Sequence, residues 1–254
     1  IYRNLFRGHG PRWRHESPLL TNATVLSQHF RDHGYRAVGG GKIFHTLQWT
    51  PGDSQNDPAA WDDYRGDPLN PIAPDWKRPK LVPDAELGLT PGRPLGDRSK
   101  LFGSQPLELP DEQTGDHMVV DWAIEQLAAD PKQPLFLAVG LFRPHIPWEV
   151  PPAWFDLHPV DQVALPECRD NDLDDAWDHR RRSWHAWVVE NDLWPRFMQG
   201  YLASISYVDH QVGRLLDALD ASPRADNTIV VLWSDHGFHI GEKENWEKFT
   251  LWNQ

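Results

Sequence analysis

Thr228-Ile-Val-Val-Leu-Trp-Ser-Asp235-His236-Gly237, with Lys248 shortly beyond it, is the stretch that decides how this chain folds. Residues 228–233 read as a buried strand, because a short β-branched apolar run bounded by turn formers has that signature. The run ends in an acid, an imidazole and a glycine. In open α/β sheets, ligands bind just outside the carboxyl ends of the strands. An Asp-His pair at that place is therefore a candidate site.

Working outward, the same alternation recurs upstream. Pro195 opens a helix to about Ala221, with Phe197, Tyr201, Ile205, Val208, Val212, Leu215 and Leu219 on one stripe. Leu135 to Leu141 reads as a buried strand running into Phe142-Arg-Pro-His145-Ile-Pro-Trp148, and Asp116 to Ala129 as the helix before it. That helix turns Val119, Val120, Ala123, Ile124 and Leu127 inward. Tyr35 to Val38 reads as a short strand leading to Gly39-Gly-Gly-Lys42. A helix over Asn22 to His33 precedes it, capped by Thr21 or Asn22 and ended by Gly34, with Val25, Leu26, His29 and Phe30 inward. The order is α-β three times over, separated by two insertions. It implies an α/β fold with a largely parallel sheet sandwiched by helices.

The first insertion, residues 47–111, holds 11 of the 23 prolines and six glycines without sustained periodicity. It also carries Trp49, Trp61 and Trp76, so it reads as a long ordered loop. The second, residues 167–194, is charged and Trp-rich. Its Trp177, Trp184, Trp187 and Trp194 fit core packing better than a sugar platform, because aromatic side chains dominate burial.

Composition removes several classes. The formal net charge of −12 argues against nucleic-acid binding. One cysteine, Cys168, excludes an internal disulfide and a cysteine-based zinc site. No apolar run approaches the roughly 18 residues of a membrane span. The chain starts at Ile1 without a Met or a visible signal and stops soon after the candidate site. It therefore reads as an internal piece of one catalytic domain, incomplete at both ends.

Three strand ends deliver the chemistry. Lys42 and His45 follow the first, His145 the second, and Asp235 and His236 the third, with Lys248 beyond. Lysines and histidines together can bind an anionic oxyacid and protonate its leaving group. Asp235 and His236 can hold a divalent cation that polarises the same group. Rival motifs fail. Gly39-Gly-Gly-Lys42 lacks the Ser/Thr and the upstream glycine of a phosphate-binding P-loop. Asp62-Asp63 reads as a solvated turn, and Asn22-Ala-Thr24, though a glycosylation sequon, reads as a helix cap.

These residues resemble a family. Gly34-Tyr35, Gly41-Lys42-Ile-Phe-His45, Arg143-Pro-His145-Ile-Pro, Tyr201-Leu-Ala-Ser-Ile-Ser-Tyr-Val-Asp209-His-Gln-Val-Gly213, Ser234-Asp-His-Gly237, Gly241-Glu242 and Trp246-Glu-Lys248 look like the formylglycine-dependent type I sulfatases, nearest the iduronate-2-sulfatase branch. The resemblance spans residues 20–46 and 115–254. It implies an alkaline-phosphatase-like fold and a bound Ca²⁺, with Asp235 and His236 in the metal positions. Because Ca²⁺ takes oxygen ligands, whether His236 binds directly or stands beside the metal stays open. The resemblance puts Lys42, His45, His145 and Lys248 on the sulfate, with His145 and Lys248 serving the leaving group and His45 the covalent intermediate. It implies a sulfated small molecule or glycan as substrate, and export to a periplasmic, extracellular or lysosome-like compartment.

The family nucleophile lies in Cys/Ser-x-Pro-x-Arg. Cys168 sits in Cys-Arg-Asp-Asn-Asp, and Ser104-Gln-Pro-Leu-Glu108 has Glu where Arg is required. The expectation is thus half an active site, inactive as an isolated chain. Two other readings remain: a phosphodiesterase or phosphonate hydrolase of the same superfamily, and a non-catalytic glycan-binding domain.

Overall fold

The structure, a computed structural model, describes residues 20–43, 57, 59–65, 103–129, 133–169, 171–174 and 182–248. The chain divides into two compact units. The first comprises Ile1–Lys77, Leu109–Phe142 and Val208–Thr228; the second comprises Arg78–Glu108, Arg143–Tyr207 and Ile229–Gln254.

The first unit is built on a parallel sheet. Strand β1 (Arg36–Gly41) pairs with β2 (Asp63–Arg65) on one side and β3 (Leu135–Gly140) on the other. Successive side chains of a strand point to opposite faces, and this sheet uses both. Ala37 packs on one face with Ala60, Trp61, Phe136 and Ala138. Val38 packs on the other with Leu135, Leu137, Val139, Leu215 and two residues of helix α2 (Gly115–Leu127), Trp122 and Ala123. A parallel sheet covered on both faces is the expected α/β layering.

Strand β1 runs three residues further than Val38. Glycine weakens a strand by its entropy, but here β2 and β3 both pair with Gly39 and Gly40, and β3 also pairs with Gly41. Gly41 itself has φ +78, and a Cβ there would lie 2.0 Å from the Gly140 carbonyl oxygen. The chain can turn out of the sheet at this point only with glycine.

Helix α1 spans Leu26–Asp32, four residues shorter at its start than expected. The segment before it is a turn, with the Ala23 N–H on the Leu20 carbonyl. Val25 is the N-cap and no side chain caps the helix, so Asn22 is not a cap. Leu26 and His29 face outward, and Ser27 is the buried residue instead. The C-terminal end behaves as read. The Tyr35 N–H reaches the Phe30 carbonyl and the Gly34 N–H reaches Arg31, the two bonds of a Schellman motif. The matching apolar contact is Tyr35 edge-on to Phe30 at 4.9 Å.

Part of the first insertion belongs to this unit's core. Trp61 is buried, and β2 is an outer strand of the sheet among the described residues. Asp62 is no mere solvated turn: its Oδ2 accepts the Ala37 N–H at 2.8 Å.

The second unit is held by aromatic packing. Helix α4 (Arg182–Glu190) and the first half of α5 (Trp194–Asp220) pack with a hairpin, β4 (His239–Ile240) and β5 (Trp246–Glu247), and helix α3 (Pro152–Asp156) lies against α5 through Trp154 and Tyr207. Trp148, Trp184, Trp187, Val188, Leu193, Phe197, Ile240 and Trp246 form one buried cluster. Trp184 and Trp187 are therefore core, as their spacing suggested; Trp177 lies outside the described residues. Trp148 is fully buried, edge-on to Phe197, Tyr201 and Phe238. Removing such a side chain costs roughly 3–5 kcal/mol.

The expected strand at 228–233 is not formed. Residues 228–238 carry no regular structure, and Ile229 to Trp233 are 55–91% exposed. Residue 228 is extended, at φ −126 and ψ 132. Composition thus sets the backbone preference, but a strand also needs a neighbour. None of the described strands pairs with this run. The second expected strand, 135–141, forms as β3 over Leu135–Gly140, half-buried along its length rather than buried.

His117 and His239 are buried and His185 is half-buried, which favours their neutral forms. His117, His185 and His239 all have lowered pKa values, first through loss of solvent; Arg214 adds to the effect at His117. The unfolded chain then binds more protons than the native one just below pH 6.5. This part of the stability is whole above that pH and is lost as pH falls through the native values. The melting temperature of the chain is expected to fall between pH 7 and 5, less steeply in a His117→Gln variant. Equal slopes would exclude His117 as a contributor.

Candidate active site

Asp235, His236 and Lys248 come together in the second unit. The Lys248 Nζ stands 2.8 Å from His236 Nε2, and His236 Nδ1 stands 2.7 Å from the Gly237 carbonyl oxygen. A carbonyl only accepts and an ammonium only donates. His236 is therefore neutral, with its proton on Nδ1 and its lone pair at Nε2 turned to Lys248. Asp235 Oδ2 lies 3.5 Å from the same Nε2 and the carboxylate is 82% exposed. The Ser234 hydroxyl donates to the His236 carbonyl and closes the turn.

Twelve residues separate His236 from Lys248, and the β4–β5 hairpin closes that gap. His239 pairs with Glu247 and Ile240 with Trp246, so the chain returns beside itself just before Lys248. This hairpin was missed in the sequence. Its signal is the polar run Gly241-Glu-Lys-Glu-Asn245 between Ile240 and Trp246.

His145 sits in the same unit, in the loop after β3. Its Nδ1–H donates to the Ile146 carbonyl at 2.6 Å. Arg143, also missed, is buried under this loop. Its Nε donates to the Glu149 carbonyl at 2.9 Å and its Nη1 to the His145 carbonyl at 3.4 Å. The Trp148 indole donates to the Pro144 carbonyl at 3.1 Å. A buried guanidinium and a buried indole thus fix the backbone on both sides of His145.

Lys42 belongs to the first unit, at the carboxyl end of β1. Its backbone N–H reaches the Gly140 carbonyl at 2.7 Å, and the Tyr64 hydroxyl donates to the Gly41 carbonyl at 2.7 Å. His45 lies outside the described residues. Cys168 is exposed; its thiol pKa is raised by partial desolvation and then by Asp172, Glu242 and Glu244. A thiol held protonated is a poor nucleophile.

Asp235 fits a hard divalent cation as an oxygen donor. His236 does not fit in this arrangement, since one nitrogen donates to a carbonyl and the other accepts from an ammonium. Among the described residues, no group of three or more His, Cys, Asp or Glu side chains is placed to hold a metal.

The sulfatase family model matches residues 4–254. The chain belongs to the sulfatase family. It is 34% identical over 248 residues to a sulfatase of Formosa agariphila, covering 94% of this chain and 46% of that protein. It is 31% identical over 252 residues to human iduronate 2-sulfatase, covering 90% of this chain and 43% of the relative. The chain thus spans about half the length of these curated relatives. Among solved structures it resembles the phosphonate monoester hydrolase SpPMH of Silicibacter pomeroyi, with a TM-score of 0.61 at 17% identity. That likeness covers 91% of this chain and 50% of the hydrolase, and it shows an alkaline-phosphatase-like α/β fold. No helix among the described residues is long and apolar enough to cross a membrane.

Proposed function

We propose that this chain supplies the leaving-group side of the active site of a sulfatase that hydrolyses the sulfate ester of a sugar or glycan. The observation that carries the proposal is the Lys248–His236 pair at 2.8 Å beside the Asp235 carboxylate. The neutral imidazole accepts one ammonium proton without cancelling its charge. That charge suits a sulfate ester, whose negative charge spreads onto the leaving oxygen as the S–O bond breaks. His145, as imidazolium, gives the leaving oxygen its proton from Nε2. Lys42 and His45 are assigned to the sulfate itself.

A divalent cation, calcium by family resemblance, would polarise the sulfate when bound. In this reading Asp235 gives it one oxygen and His236 stands outside the ligand set. A formylglycine nucleophile is implied by the same resemblance, and neither Cys168 nor Ser104 has the sequence context for it. The sugar is supported by the human relative's name, an iduronate 2-sulfatase. Export to a periplasmic, extracellular or lysosome-like compartment belongs to the same proposal. The phosphonate hydrolase resembles this chain in fold alone, so phosphonate or phosphodiester chemistry ranks below sulfate.

The test is a paired assay of the full-length enzyme with aryl sulfate and aryl phosphate of one leaving group. Sulfate is expected to be the better substrate by kcat/KM, and Asp235→Asn to weaken calcium binding measured calorimetrically. Faster phosphate turnover would overturn the sulfatase reading.

A further inference from the structure

We infer that Trp194, His185 and Trp246 form an indole–imidazole anchor that positions Lys248 through the β4–β5 hairpin; the inference rests on the catalytic reading of Lys248. The hairpin has only two residue pairs, too little to be stable by itself. Its turn is also costly. Lys243 and Glu244 take φ 48 and 54, in the left-handed region that non-glycine residues avoid. Such a turn persists only where its surroundings over-determine it.

The surroundings grip both strands. On β4, the Trp194 indole N–H donates to the Ile240 carbonyl at 2.8 Å. Next to it, Gly241 has φ +101, and a Cβ there would lie 2.3 Å from the Trp194 ring. Glycine is thus required twice over, for its conformation and for the closeness of the indole. On β5, the Trp246 indole N–H donates to His185 Nδ1 at 3.3 Å. His185 stands edge-on to Trp194 at 4.8 Å, and Trp194 meets Trp246 at 6.1 Å, which closes the triangle. Burial lowers the His185 pKa, against a raising effect of Glu244, so the ring stays neutral and able to accept. Lys243 tethers the turn from outside, its Nζ 2.9 Å from the Asp172 carbonyl.

Lys248 follows β5 directly, and His236 lies three residues before β4. The distance between them is therefore set by how the two strands are held. The three anchor residues are positioning residues, acting through β5. Ordinary core residues would affect stability alone, whereas an anchor also sets the rate through Lys248.

A double-mutant cycle on the full-length enzyme separates these two roles. Trp194→Phe keeps an aromatic ring and deletes the N–H; His185→Leu deletes the acceptor and serves as a second arm. Each is expected to lower kcat/KM for an aryl sulfate on the order of 10-fold below the melting temperature, since small misplacements carry such losses. In a Lys248→Ala background, each is expected to change it less than about twofold. Additive losses would overturn the anchor, because they would mean an effect that bypasses Lys248. A Lys248→Ala variant with wild-type activity would instead overturn the catalytic reading of Lys248, so the two failures are distinguishable.

Discussion

Replacing Lys248 by Ala in the full-length enzyme is expected to lower kcat/KM for aryl sulfates on the order of 10²–10³-fold, the range for losing one preorganised donor at a developing charge. The loss should be similar for good and poor leaving groups. The ammonium serves the sulfate oxygens as well as the leaving oxygen, and the sulfate is the same in both substrates. Lys248→Arg is expected to restore little. The 2.8 Å contact with His236 Nε2 places a compact point charge, and a planar guanidinium spreads its charge over a larger fork. Steady-state kinetics on a series of aryl sulfates measures this. A loss below about threefold would take Lys248 out of the active site.

How much of this was legible in the sequence depends on whether each element is decided locally. Helix α5 was read almost to the residue, because 27 residues of amphipathic periodicity carry their own evidence. The Schellman end of α1 was legible for the same reason, with Gly34 and the Phe30–Tyr35 pair all within six residues. The start of α1 was not: Thr21 and Asn22 have capping chemistry, but the turn at Leu20–Ala23 takes that segment out of the helix. Strand β1 was cut short because glycines argue against strands, while its two partners lie 25 and about 100 residues away.

The run at 228–233 erred in the opposite direction. Its β-branched residues specify an extended backbone and nothing about a partner, and their exposure follows. The Asp235-His236 assignment was argued from a strand end, yet the two residues meet Lys248 by another route. The hairpin does that work, and its turn was hidden because Lys243 and Glu244 have no propensity for φ above zero. His145 was visible as a motif. The reason its loop is rigid, a buried Arg143 bonded to two carbonyls, was not, since an arginine in sequence reads as a surface charge.

His145→Ala is expected to separate substrates that Lys248→Ala treats alike. A poor alkoxide leaving group needs its proton in the transition state, and general acid catalysis is typically worth about 10²–10⁴-fold. The variant should lose that much kcat on a sugar or alkyl sulfate. A nitrophenolate leaves nearly unaided, so its kcat should change only a few-fold. The geometry makes the role specific to one atom: Nδ1–H is committed to the Ile146 carbonyl, so the transferred proton comes from Nε2. His145→Gln retains a donor to hydrogen-bond the leaving oxygen but has no proton to give. It should therefore resemble Ala on the alkyl substrate. If Gln restores the alkyl sulfatase rate, or if Ala costs both substrates equally, His145 orients sulfate by hydrogen bonding and the proton comes from another group. Lys248 is then the next candidate, since its ammonium is the other proton held at this turn.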